Sequence, residues 1–370
     1  MTILKFIFNG PLVQFLFLHQ NFVSFIIVSM NTINYKERIN YILAGFPDYV
    51  FSYFMYCDGT LDRSPKTMIG YAYDIKTFFD FMIERNPLVT AYSDITYSVL
   101  NKLKPQDIQE YMSYLRSYED DGKIVNNAAS SRARKLSCLR SFFQYLFMYG
   151  DLKTNPAKLI ETPRIRKKKQ SRLDIDEVNQ LIENVASGSG LTDEQLIYYK
   201  RTQYRDTAII VLILYSGIRV SEVSNLDLGD IDRKNKTIKV IRKGGNEDTV
   251  YVSDTVINVI DAYIEFERKP FDDGNQALFL SSRNQMDTRL TTRSIERLVR
   301  KYGQTVNATK KTTPHSLRRT FGTKLYNETG DIFLTATALG HKDAKVTMDA
   351  YTEIQESRKD LIRKVNYDSE

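Results

Sequence analysis

LYSGIRVSEV, Leu214 to Val223, places an arginine, Arg219, on a glycine-containing turn between two apolar helical stretches. The residues leading into it, YYKRTQYRDTAIIVLILYSG, read as a buried helix from about Arg205 to Tyr215, because the apolar run has no polar face. About a hundred residues further on, TPHSLRRTFGTKLY (Thr313 to Tyr326) brings His315 and Arg318. LGHKDAKVTMDAYTEI (Leu339 to Ile354) then brings His341 and Tyr351. The chain has only three histidines, so two of them falling in such settings is informative.

Around these segments the pattern is helical with one small sheet. LDIDEVNQLIENV is an amphipathic helix with Asp174 near its start. KTIKVIRKGGNEDTVYVS (Lys236 to Ser253) alternates apolar and polar residues about GGN, which predicts a β-hairpin. Helices resume at Asp254–Glu267 and Thr292–Tyr302. A domain over 174–370, α-rich with a small β-sheet, follows.

Residues 35 to 160 read as helices throughout. Thr67–Glu84 sets Ile69, Tyr73, Ile75, Phe78, Phe79 and Met82 at helical spacing, with Ser64 and Pro65 suited to its start. Ile108, Tyr111, Met112 and Leu115 share a face after Lys104, Pro105 and Gln106. Asn126–Gly150 carries Ala133, Leu136, Leu139, Phe142, Phe143 and Leu146, and Gly150 suits a C-terminal stop. These stripes predict a core. Arg132, Arg134, Lys135 and Arg140 lie partly on the opposite face, where phosphates or water would meet them. Pro156 and Pro163 bracket a change of composition. RIRKKKQSR, Arg164 to Arg172, packs six basic residues into nine, including Arg164, Arg166, Lys167, Lys168 and Lys169. It is too polar to fold alone and reads as a basic strap between domains at 163–173. The helical domain thus spans 30–162.

Residues 1–29 differ from the rest, being rich in Phe, Ile and Leu. Asn9, Gly10, Pro11, Gln14, His19, Gln20 and Asn21 interrupt them, so no unbroken run reaches the ~18 residues of a membrane span. Nor is there a basic start or small-residue cleavage site of a signal peptide. Met30 reads as the functional start and 1–29 as an apolar leader, with a membrane tether as the alternative. The net charge of +7 suits a polyanionic partner. Two cysteines, Cys57 and Cys138, exclude a disulfide framework and a Cys-rich zinc site. A reducing, cytoplasmic compartment is the simplest setting.

Transfer of a phosphodiester to a side chain sets clear requirements. Charge builds on the non-bridging oxygens and calls for fixed cations. Arginine's planar fork serves there and keeps its proton, which suits Arg219 and Arg318. Glu222, one helical turn beyond Arg219, can orient it. The leaving 5′ oxygen needs a general acid, and Lys243 in the hairpin turn RKGG can reach it. Arg242 beside it is a possible backup contact. Tyrosine has a pKa of ~10, so Tyr351 needs a proton acceptor or strong transition-state stabilisation. His315 and His341 are the candidates for proton handling.

LYSGIRVSEV, VIRKGGNEDTVYV, TPHSLRRTFGTKLY and LGHKDAKVTMDAYTEI together resemble the successive motifs of the tyrosine recombinases, the phage integrase family. SPKTMIGYAYDIKTFFDFM and SSRARKLSCLRSFFQYLFMYGDLKTNPA resemble that family's core-DNA-binding domain. The likeness runs from about Tyr35 to Val365 and is nearest to Xer-type single recombinases. It implies a mostly α, DNA breaking-rejoining fold with a helical core-DNA-binding domain and an α-rich catalytic domain. Arg219 and Arg318 would hold the scissile phosphate and Lys243 would protonate the leaving oxygen. His315 and His341 would assist, and Tyr351 would form the 3′-phosphotyrosyl bond. No cofactor, ATP or metal is implied. The implied partners are double-stranded DNA and further copies of the chain, as a tetramer on two sites with a C-terminal exchange helix. The implied roles are chromosome dimer resolution or mobile-element integration and excision. Arg319 stands where many relatives carry a third histidine, and His341 where some carry tryptophan. A type IB topoisomerase-like relaxing enzyme is the alternative, and a catalytically silent DNA-binding module a third reading.

Overall fold

The computed structural model describes residues 34–120, 122–165, 172–242, 244–268, 276–281 and 288–340. The leader, His341, Tyr351, Lys243 and the strap residues Arg166, Lys167, Lys168 and Lys169 lie outside these. The chain divides into two compact units between Lys167 and Lys168.

The first unit is built from α1 (Tyr35–Ile42), α2 (Asp48–Gly59), α3 (Pro65–Arg85), the single turn α4 (Tyr97–Leu100), α5 (Pro105–Tyr114) and α6 (Ala129–Met148). Ser64 caps α3 by accepting from the Thr67 amide, and Pro65 occupies the first turn, where its missing N–H costs nothing. The apolar positions of α3 and α6 then meet in a core crowded with rings. Phe78 stands edge-on to Tyr111 at 5.0 Å and to Phe143 at 5.8 Å, and Tyr53 edge-on to Phe142 at 5.3 Å. Each buried ring contributes about 1.5–3 kcal/mol from area alone.

Two expectations are corrected here. Tyr73 is 43% exposed, because the buried stripe of α3 runs through Met68, Tyr71, Ala72 and Ile75 instead. The expected all-helical region also contains a hairpin, β1 (Ser117–Asp120) with β2 (Lys123–Asn126), paired Ser117 to Asn126. Its strands bury almost nothing, so they carry no apolar alternation to read.

The second unit centres on α9 (Gln203–Ser216), in which every residue from Ala208 to Leu214 is buried. Around it stand α7 (Ile175–Ser187), α8 (Asp193–Tyr199), α10 (Val220–Asn225), α11 (Asp254–Tyr263), α12 (Thr292–Val306), α13 (Pro314–Thr329) and α14 (Ile332–Ala338). Buried Asp206, in the first turn of α9, accepts from Lys301 at 3.2 Å and from the Tyr302 hydroxyl at 3.2 Å, which fixes α12 against it. The hairpin read from the sequence is present as β4 (Thr237–Ile241) and β5 (Glu247–Tyr251). With β3 (Ile231–Asp232) at the edge they form an antiparallel sheet in the order β3-β4-β5. Ile238 faces Val250 across the ladder, and both point into the core. A two-stranded ribbon, β6 (Leu280–Ser281) with β7 (Thr288–Arg289), completes the unit. Among the described residues no helix is long and apolar enough to cross a membrane.

Candidate active site

The site begins where α9 stops. Gly217 takes φ +63°, a left-handed cap that L side chains rarely adopt. A β-carbon there would lie 2.4 Å from the ring of Phe321, so space as well as backbone conformation requires glycine. The chain reverses, and Arg219 becomes the N-cap residue of α10. Its amide donates to Glu222 Oε2 at 2.9 Å and its guanidinium to Glu222 Oε1 at 2.9 Å. Arg219 Nη2 reaches across to the Gly340 carbonyl at 2.8 Å.

Arg318 arrives from α13. Thr313 caps that helix by accepting from the Ser316 amide, and Pro314 fills its first turn. Its buried face carries Leu317, Arg318, Gly322 and Tyr326, so Arg318 points inward and is 5% exposed. It donates to the carbonyls of Gly217 and Leu339. The two arginines, a hundred residues apart, therefore grip consecutive carbonyls of one turn, Leu339–Gly340, which leads directly to His341. His315 is exposed at the start of α13, its Nε2 3.5 Å from Arg319 Nη2. Partial desolvation first, then the positive charges of Arg319 and Arg318, hold its pKa below the usual imidazole value. The ring is thus neutral at pH 7 and able to take up a proton.

Glu222 is 4% exposed and serves two cations. Its Oε2 also accepts from Arg242 Nη1 at 2.9 Å, and Arg242 Nε donates to Asp248 at 2.8 Å. Burial opposes ionisation of Asp248, but the Arg242 hydrogen bond and the Thr249 amide outweigh it and hold its carboxyl below the usual carboxylate range. Arg242, read from the sequence as a backup contact, is 9% exposed and part of this network. A signal for it was available. Ile238, Val240 and Arg242 share one phase of the strand's two-residue alternation, and the first two are core residues.

The basic residues of the first unit divide differently. Lys135 is a correction: it is 7% exposed and donates to Asp74 at 3.1 Å and Thr77 at 3.2 Å, so it belongs to the core rather than to a DNA-facing surface. Arg134 is held on the same carboxylate by two hydrogen bonds, one of them 2.7 Å. Arg140, of intermediate exposure, fastens the segment after α6 by donating to the carbonyls of Ala157 and Ile160 and to Thr162 Oγ1. Arg132 and Arg164 instead line an open groove of about 580 Å³ with Arg116, Gln109 and Ser113. The Nε of Arg132 is buried there with no hydrogen-bond partner among the described residues.

Two family models match the chain, one within each unit. The model described as "Phage integrase family" matches residues 171–358, and "Phage integrase, N-terminal SAM-like domain" matches 52–150. The chain is 29% identical to the tyrosine recombinase XerS of Streptococcus uberis over 343 residues, covering 86% of this chain and 95% of the relative. It is 29% identical to tyrosine recombinase XerC of Caldanaerobacter subterraneus over 345 residues, covering 90% and 91%. Among solved structures, XerH bound to its difH substrate superposes with a TM-score of 0.61 at 18% identity, over 90% of this chain and 95% of that one. A lambda integrase dimer bound to a core site gives 0.58 at 17% identity, over 82% and 94%. These two likenesses speak to the fold.

Proposed function

This chain belongs to the phage integrase family, and on that premise we propose that it is a site-specific tyrosine recombinase, which cuts and rejoins DNA strands through a covalent protein–DNA intermediate. The observation that carries the reading is the convergence of Arg219 and Arg318 on the Leu339–Gly340 turn, one residue before His341. Two guanidiniums fixed side by side present charge where a phosphodiester gains it in the transition state, without reorganisation at the moment of reaction.

In this proposal Arg219 and Arg318 bind the non-bridging oxygens of the scissile phosphate. The Tyr351 hydroxyl oxygen attacks phosphorus and loses its proton to a neutral imidazole, with His315 suited by its depressed pKa. The bond from phosphorus to the 5′ oxygen breaks, and Lys243 supplies the proton that leaves with that oxygen. A 5′ hydroxyl of the partner duplex then attacks the phosphotyrosine, displaces Tyr351 and reseals the strand. The phosphodiester bond is conserved in the protein linkage throughout, so the residues named balance the step. Double-stranded DNA is the substrate, reached from the first unit through Arg132 and Arg164. Exchange between two duplexes calls for four copies of the chain, and chromosomal or mobile-element DNA for a cytoplasmic enzyme.

The test is to recover and sequence DNA covalently trapped on the protein in cells, then to offer a nicked duplex of that sequence to purified protein. An adduct on Tyr351 at one defined sequence is expected. Adducts spread over unrelated sequences, with monomeric protein relaxing any supercoiled plasmid, would overturn site-specific exchange.

A further inference from the structure

Arg242 has no part in the chemistry above, yet it is built into the site more tightly than Arg219. It is 9% exposed, whereas the Arg219 side chain is 30% exposed. It holds three things at once. Through Nη1 it takes Glu222 Oε2 at 2.9 Å, on the carboxylate that orients Arg219. Through Nε it takes Asp248 on β5 at 2.8 Å. Its guanidinium also lies close against Gly340, where a β-carbon would come within 2.6 Å of both Cζ and Nε. Gly340 has φ +57° and gives its carbonyl to Arg219. Arg242 therefore packs on the same turn whose carbonyls Arg219 and Arg318 hold.

We infer that Arg242 is a positioning residue for strand cleavage, which sets Arg219 through their shared Glu222 and fixes the Leu339–Gly340 turn. The inference rests on the recombinase reading. One physical effect supports it. Glu222 accepts from both arginines, so neither can swing it away without breaking the other's bond. Without Arg242, Glu222 pairs with Arg219 alone, and both can shift. A displacement of this kind, well short of the reacting atoms, is enough to slow a reaction that depends on alignment.

The experiment is single-turnover cleavage of a nicked duplex carrying the sequence recovered on Tyr351, with DNA affinity measured in parallel. Arg242→Gln is expected to slow cleavage at saturating DNA by about tenfold or more while affinity stays within about twofold. Glu222→Gln should do the same, and the double variant should be no slower than the slower single one, because both act through one link. Wild-type cleavage by Arg242→Gln would overturn the inference. So would a double variant whose loss is the product of the two singles, or a loss that falls on affinity instead of rate. If Arg242→Gln does not fold, Asp248→Asn decides, since it removes one bond to Arg242 at a half-exposed residue. It should slow cleavage about threefold with affinity unchanged, and a wild-type rate would sink the idea. Absence of any wild-type adduct would mark the failure of the recombinase reading itself, which these comparisons keep apart.

Discussion

In the first unit one buried carboxylate, Asp74, draws Arg134 and Lys135 together, and Arg140 is taken up by the oxygens of the segment it fastens. In the second, Glu222 is shared between Arg219 and Arg242 while Arg318 meets them at one turn. The residue types are the same and the outcomes are opposite. Around Asp74 the cations hold α3 and α6 in register. Around Glu222 they converge on one turn. A count of basic residues cannot separate these uses, because what distinguishes them is where each cation's partner comes from.

The sharpest test of the contrast is Tyr351→Phe, which should bind DNA as the wild type does and yield no covalent adduct. An adduct in that variant would assign another nucleophile. Next is Arg318→Ala, expected to cut the cleavage rate by about 100- to 1,000-fold, the range for loss of one preorganised donor to developing charge. A single-turnover assay reads it. Asp74→Asn addresses the other side of the comparison. It leaves Lys135 buried without a counter-ion and should destabilise the first unit by about 3–5 kcal/mol, read as a urea midpoint. An unchanged midpoint would mean that Asp74 does not hold Lys135 in the core.

Smaller effects remain. His315 has its pKa lowered, so it stays neutral as pH falls past the ordinary imidazole value and becomes charged only below it. Cleavage should therefore keep its rate down to about pH 6.5 and decline only beneath that. A decline centred above pH 7 would contradict the depressed value. Last, Arg164→Gln should lower the slope of log affinity against log salt by about one, as one phosphate contact is lost. The same change at Arg140, whose donors are occupied within the fold, should leave that slope alone.

Much of the architecture was legible because burial leaves a period. The stripes of α3 and α6, the unbroken apolar run of α9 and the alternation of β4 all read directly. Arg219 and Glu222 were legible too, since three residues apart at a helix start puts them in reach. The hairpin of β1 and β2 was not, because its strands face water and carry no apolar rhythm. The fate of Lys135 was hidden because its partner Asp74 lies 61 residues away, and nothing local marks the pairing. Arg242 fell between these cases. Its strand phase pointed inward, but Glu222 lies 20 residues upstream and Gly340 far downstream, so only the folded chain brings them together.

Arg318 stitches two left-handed glycine turns, donating to the carbonyl of Gly217 on one side and to that of Leu339 on the other. One of these turns is made well before α13 and the other after it. When α13 has just left the ribosome, Leu339 is still inside it, so the Arg318 guanidinium lacks one of its two carbonyl acceptors. The pocket cannot close until residue 339 has emerged, so completion of the arginine cluster waits on the last part of the chain.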